Sequence, residues 1–247
     1  MKIKIIEPVI ETENTRETEF DHEYIQRCLG EGVEYDIEFI AQGLESLESL
    51  TEQAVNIPEV LKIVNKVDDE EFDGIFVNCF DDPGVAAAHE ITKLPIFGGF
   101  LPAITIASRT GLRIAIVTTS HKGDASLEHL FKVYGVSKYI QDVRYLDEAV
   151  LDLNQKEKTL QNLLQQCKIM HQQKTIDTVI IGCTAMSYLV HDLKVILREN
   201  DLPLQIIEPK MAGLKMVKMV AEMGLSNSFL SASKTSDYFF DKTILKN

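Results

Sequence analysis

Asp73-Gly74-Ile75-Phe76-Val77-Asn78-Cys79-Phe80-Asp81-Asp82-Pro83-Gly84 is the stretch whose reading decides the fold. A short apolar run ends in a thiol, and a turn of carboxylates, proline and glycine follows. Val85-Ala86-Ala87-Ala88-His89-Glu90 then has the composition of a helix start. The arrangement returns in Asp177-Thr178-Val179-Ile180-Ile181-Gly182-Cys183-Thr184-Ala185-Met186, with the aspartate at the same distance before its cysteine.

Outward from these two stretches, strands alternate with helices. Strands are expected over 2–7 (ended by Pro8), 35–41, 75–77, 94–97, 112–118, 139–144, 179–181 and 203–207. Helices are expected over 17–28, behind a capping box at Ser49-x-x-Glu52, from the turn after Cys79 to about 93, through 108, to about 134, over 147–174, from Cys183 to about 197, and over 211–223. Pro58 should break or kink the helix behind the capping box. The tail after Ser226 shows no clear period. Alternation of this kind implies parallel sheets covered by helices on both faces. The strand at 112–118 follows the first strand at about the interval that separates Cys183 from Cys79. The expected fold is therefore α/β: two pseudo-symmetric parallel-sheet lobes with the active site in the cleft between them. Residues 1–98 with 208–247 make the first lobe and carry Cys79; residues 99–207 make the second and carry Cys183.

Composition bounds the function. The chain of 247 residues is 45% hydrophobic and 26% charged, as expected of a globular protein, and its net charge is −13. So acidic a chain is a poor partner for nucleic acid or for an anionic membrane surface. No apolar run has the length of a membrane span, and Met1-Lys2-Ile3-Lys4-Ile5-Ile6-Glu7-Pro8 lacks the pattern of a signal peptide, so a cytoplasmic location is expected. Cys28, Cys79, Cys167 and Cys183 have no CxxC or zinc-ligand spacing, and the histidines form no ligand pattern, so no metal is expected.

In open parallel sheets, ligands bind beyond the carboxyl ends of the strands. Cys79 and Cys183 are both expected there, next to helix starts whose N–H groups favour an anion and lower a thiol's pKa. Two thiols facing each other across a cleft suit removal of a proton from one face of a carbon and delivery to the other. Cys28 and Cys167, inside polar-rich helices, read as buried small hydrophobes. Asn78 either orients a substrate oxygen or braces the turn. Phe80 walls the pocket or packs in the core, and Thr118 and Thr184 bond to substrate at the cleft edge, with helix capping an equal account of Thr184. Asp81 and Asp82 are expected to cap the helix after Cys79, while Asp73 and Asp177 are turn residues without chemistry.

Asn78-Cys79-Phe80-x-Asp82-Pro83-Gly84 before an Ala-rich helix resembles the first cysteine motif of hydantoin racemases, within the aspartate/glutamate/hydantoin racemase superfamily. Gly182-Cys183-Thr184 resembles the second cysteine motif, Gly43-x-x-Ser46-Leu47-Glu48-Ser49 the loop after the second strand, and Ile116-Val117-Thr118-Thr119 the strand opening the second half. The resemblance implies a racemase or epimerase that needs no cofactor, inverts a carbon next to a carbonyl in a hydantoin or other amino-acid derivative, and uses Cys79 and Cys183 as its two bases. It also implies a small-molecule substrate and a homo-oligomer. Two departures stand out. Glu7-Pro8-Val9-Ile10 replaces the usual Asn-Pro-Asn-Thr, and Leu101 stands where a glutamate is usual. Both loops are expected near the cleft, with Pro8 and Val9 against the substrate. Alternatives are a decarboxylase or cis–trans isomerase using one cysteine, a small-molecule-binding protein without catalysis, and a thiol redox switch.

Overall fold

The computed structural model describes residues 1–15, 19–67, 69 and 71–227. The tail from 228 onward and the start of the helix expected over 17–28 lie outside the described residues. The strands are β1 (Lys2–Ile10), β2 (Glu34–Ile40), β3 (Gly74–Val77), β4 (Ile96–Phe97), β5 (Ile114–Thr118), β6 (Ile140–Tyr145), β7 (Thr178–Ile181) and β8 (Gln205–Ile207). The α-helices are α1 (Glu19–Leu29), α2 (Leu50–Lys66), α3 (Val85–Ala88), α4 (Phe100–Thr110), α5 (Asp124–Val133), α6 (Lys156–Gln173), α7 (Val190–Glu199) and α8 (Pro209–Glu222). The strands form two four-stranded sheets, in the orders β2-β1-β3-β4 and β6-β5-β7-β8. All the pairings are parallel. The same order occurs twice, so the internal repeat is structural.

β3, β5 and β7 are almost wholly apolar because helices cover both faces of the sheets. Every residue of β3, β5 and β7 is buried, whereas the edge strand β2 alternates over much of its length. The repeated aspartate has a matched task. The Asp73 carboxylate accepts the Lys2 N–H at 2.7 Å. The Asp177 carboxylate accepts the N–H groups of Leu112 and Arg113, each at 3.2 Å. Each aspartate therefore ties the start of the neighbouring strand, β1 or β5, to the strand that leads to a cysteine.

Several local expectations change. At the start of α2, Ser49 Oγ accepts the Glu52 N–H at 3.3 Å, but the Glu52 carboxylate reaches back to the Glu48 N–H at 2.6 Å, one residue before the capping-box partner. Of the break or kink expected at Pro58, the break is absent. α2 runs past it because buried Val60, Ile63 and Val64 hold the helix on the sheet across the missing hydrogen bond. Ser49→Ala removes an N-cap acceptor, so it is expected to cost about 1 kcal/mol, read as an earlier urea unfolding midpoint at unchanged slope. The helix after Cys79 is a single turn, α3. The Ala88 carbonyl takes the N–H groups of both Ile91 and Thr92, and Leu94-Pro95 then forces extended chain. The helix expected over 147–174 begins only at Lys156. Asp147 is left-handed, with φ 55°, and the Glu148 N–H bonds to the Thr119 carbonyl, so the preceding residues are drawn into a loop with a 3-10 turn at Val150–Asp152.

α8 returns to pack on β3, β4 and α1, while α4 packs on β7, β8 and α8. The two helices thus meet between the sheets. Among the described residues, no helix is long and apolar enough to cross a membrane.

Candidate active site

β3 and β7 hold equivalent places in their sheets, so Cys79 and Cys183 leave the carboxyl ends of equivalent strands. The neighbours of the two cysteines touch directly: Thr184 Oγ1 donates to the Asn78 carbonyl at 3.2 Å. Both thiols, half-buried, line one cavity of ≈ 650 Å³. β1 contributes Glu7, Pro8 and Val9 to its wall, and the loop before α2 contributes Glu45, Ser46 and Leu47. Val150, Leu151 and Leu153 come from the loop before α6, Ser187 and Tyr188 from the 3-10 turn Thr184–Leu189, and Lys210 from the start of α8. All four cysteines are unbridged.

The electrostatics reverse one expectation. Burial pushes the Cys79 thiol well above its ordinary value, and the nearby Asp81, Cys183 and Asp82 side chains raise it further. Burial pushes Cys183 up to about 12. α3 is one turn long and begins well after Cys79, so it offers that thiol no effective dipole. The thiolate forms still have donors. The Asp81 N–H serves Cys79, and the N–H groups of Ala185 and Met186 at the start of the 3-10 turn serve Cys183.

The two aspartates after Cys79 do not cap the helix that follows it. Asp82 accepts the N–H groups of Phe100 at 2.9 Å and Leu101 at 3.2 Å, and the Tyr134 hydroxyl at 3.2 Å. It therefore caps α4, and its charge still adds to the upward push on the Cys79 thiol. Asp81 accepts from Gln53 Nε2 at 2.8 Å and Ser126 Oγ at 2.7 Å. Burial raises Asp81 to about 6 and Asp82 to about 7.

Of the residues expected at the site, Cys79, Cys183, Asn78, Thr184, Pro8 and Val9 line the cavity. Phe80 and Thr118 do not. Phe80 is 3% exposed and packs edge-on against Phe100, because the chain turns its side chain under the sheet into the core of α4 and β5. Thr118 is buried and its hydroxyl donates to the Gly182 carbonyl at 3.0 Å, bracing the strand before Cys183. Leu101 is also displaced from expectation: it packs on the core around Phe80 and Ile104 and is not part of the wall. Val9 thus stands in the cavity wall and Leu101 does not.

Sequence reasoning missed Glu7, Lys210, Ser187, Tyr188 and the 150–154 loop as wall residues. The loop was hidden inside an apparently continuous helix. Glu208 in Glu208-Pro209 did carry a cap signal, and its carboxylate accepts the N–H groups of Lys210 and Met211 together with the hydroxyls of Ser187 and Tyr24. That anchors Lys210 and the 3-10 turn after Cys183 to one another.

Against known proteins, the sequence pattern of the family described as Asp/Glu/Hydantoin racemase matches residues 16–217. A hydantoin racemase from Pseudomonas sp. (strain NS671) is 26% identical over 239 residues, covering 95% of this chain and 91% of that one. A hydantoin racemase from Rhizobium meliloti is 27% identical over 184 residues, covering 74% of each. The structure of allantoin racemase from Klebsiella pneumoniae superposes with a TM-score of 0.80 at 25% identity, covering 94% of this chain and 92% of that one. The twofold α/β architecture and these relatives define an isomerase of the racemase class. The chain belongs to the Asp/Glu/hydantoin racemase family.

Proposed function

We propose that the protein racemises or epimerises a carbon next to a carbonyl in a hydantoin-like amino-acid derivative, without a cofactor, by proton transfer between Cys79 and Cys183. In one direction the Cys79 thiolate takes the proton from one face of the carbon, and the C–H electron pair moves into the adjacent carbonyl as an enolate. The Cys183 thiol then gives its proton to the opposite face, and the enzyme is left with the two protonation states exchanged. The reverse direction uses the same groups in swapped roles. The supporting observation is that two thiols on equivalent strand ends line one cavity, with Thr184 bonded across to Asn78. The same reading takes the enzyme to be cytoplasmic and homo-oligomeric, with the lobes divided at 98/99 and 207/208.

A panel of chiral hydantoins, allantoin and free amino acids, followed by circular dichroism in D2O, tests the activity. Loss of optical signal together with deuterium uptake at the stereocentre is the expected result. Inversion without uptake would refute a proton-transfer route.

The raised thiol values carry a pH dependence. The reactive form holds one thiolate, and burial keeps both protons on, so the exchange rate is expected to climb with pH between about pH 6 and 9. Asp81→Asn removes a like charge from beside Cys79, favours the thiolate, and is expected to move that rise to lower pH. A pH-independent rate in the parent enzyme would count against thiolate as the base.

A further inference from the structure

We propose that Gln53 and Ser126 are positioning residues for the proton transfer: from opposite lobes they clamp the Asp81 side chain and so keep the Asp81 backbone N–H directed at the Cys79 sulfur. Their effect on turnover rests on the two-thiol reading above; their effect on the thiol does not. Asp81 lies two residues after Cys79, in the turn between β3 and α3. Gln53 Nε2 donates to Asp81 Oδ2 at 2.8 Å and to Ser126 Oγ at 2.7 Å, and Ser126 Oγ donates to the same Asp81 oxygen at 2.7 Å. The two amide hydrogens and the one hydroxyl hydrogen thus each meet one acceptor. Gln53 is 5% exposed and Ser126 1%, so water does not compete for these bonds. Gln53, Asp81 and Ser126 are not part of the cavity wall, so they act on a substrate only through the thiol.

The two thiols receive their donors differently. Cys183 is served by the N–H groups of Ala185 and Met186, whose direction is fixed by the 3-10 turn Thr184–Leu189. Cys79 is served by Asp81, which belongs to no helix, because α3 begins only at Val85. A peptide unit in a turn can rotate, and here its own side chain holds it. Gln53 stands in the first turn of α2 and Ser126 in the first turn of α5, so the Asp81 carboxylate is gripped from both sides. An N–H aimed at the sulfur favours the thiolate, and a donor already in place needs no reorganisation when charge appears there. The Asp81 carboxylate acts in the opposite sense, and its charge raises Cys79, as do Asp82 and the opposing Cys183. Asp81 and, from the loop before α2, Glu48 likewise raise Cys183. The clamp and the charge of Asp81 therefore have opposite signs at Cys79.

The test is the rate of alkylation of each thiol by iodoacetamide, read by peptide mass spectrometry at low conversion between about pH 8 and 10. Asp81, raised to about 6, is ionised throughout that range, so Ser126→Ala weakens the clamp and leaves the charge. Cys79 is expected to react about three- to tenfold more slowly in Ser126→Ala, the scale of a weakened hydrogen bond to a charged group. Cys183 keeps its own donors and is expected to react as in the parent enzyme. Ser126→Thr retains the hydroxyl and is expected to restore the parent rate at Cys79. Asp81→Asn loses the charge while its side-chain oxygen still accepts from Gln53 and Ser126, so it is expected to move Cys79 the other way. Gln53→Met removes both amide donors at nearly constant length and is expected to slow Cys79 as Ser126→Ala does, which covers a Ser126→Ala protein that fails to fold. Parent rates at Cys79 in Ser126→Ala and Gln53→Met overturn the proposal. So does an equal change at Cys79 and Cys183, the result of a general loosening. On 5-methylhydantoin, kcat of Ser126→Ala is expected to fall by a similar factor with KM near that of the parent. If the parent exchanges no hydantoin proton for deuterium, the two-thiol reading fails on its own, and the alkylation rates still decide whether the clamp sets Cys79.

Discussion

Cys79→Ser and Cys183→Ser are each expected to reduce inversion by about 10²–10⁴-fold, the usual weight of one acid–base group. A serine hydroxyl holds its proton far more tightly than a thiol, so the substituted side neither removes nor returns a proton at a useful rate. The change is nearly isosteric, and both cysteines already sit beside fixed backbone N–H donors, so the fold should persist. The sharper expectation concerns what remains. Each variant keeps one competent thiol on one side of the substrate carbon. It should therefore exchange deuterium slowly into one enantiomer with retention of configuration, and the two variants should prefer opposite enantiomers. Circular dichroism gives the inversion rate, and proton NMR on separated enantiomers gives the exchange. Full inversion in both variants, on a substrate that the parent enzyme turns over, would remove the cysteines from the mechanism.

Gly213→Ala is expected to be the most damaging single-atom addition away from the thiols. A Cβ at Gly213 would lie 2.2 Å from Phe76 Cε2 and 2.7 Å from the Gly98 carbonyl oxygen. Neither neighbour has room to move. Phe76 is fully buried in β3, and the Gly98 backbone lies just before α4 in a segment where Gly99 N–H bonds to the Cys79 carbonyl at 2.9 Å. α8 would have to lift off the first sheet, so the cost is expected to be about 3 kcal/mol. That corresponds to a melting temperature lower by roughly 10 °C for a chain of this size. A thermal melt within a degree or so of the parent protein would show that α8 is not held at this contact. Because Lys210 and Glu208 belong to the same helix start, a partial loss of cavity shape and activity should accompany the loss of stability.

Much of the architecture is legible in the sequence. The runs 75–77, 114–118 and 179–181 are strands buried on both faces, an environment that parallel sheets between helices provide, whereas Leu112 and Arg113 stay exposed ahead of β5. The repeated aspartate and cysteine marked two equivalent strand ends, and Asp73 and Asp177 hold matching positions at the starts of β1 and β5. Local signals were weaker where tertiary contacts overrode them. Asp147 and Glu148 sit in a good helical sequence, yet Thr119 takes the Glu148 N–H and the helix gives way to the loop that forms one wall of the cavity. Pro58 failed to break α2 for a similar reason, since burial of one helix face outweighs a single lost hydrogen bond.

The sequence by itself determined the two cysteines, their equivalent strand ends and the family to which the chain belongs. Those are properties of short contiguous motifs and of a repeat, and both are written along one dimension. Which neighbours share the cavity with the thiols was decided only by the tertiary structure. Phe80 and Thr118 flank the strand ends in sequence yet face the core or the opposite strand, while Glu7 and Lys210, far apart in the chain, both line the cavity. Side-chain direction at a strand end depends on how the chain turns there, and that turn is set by contacts such as Gly99 with Cys79 and Thr184 with Asn78, made between residues that no local pattern connects.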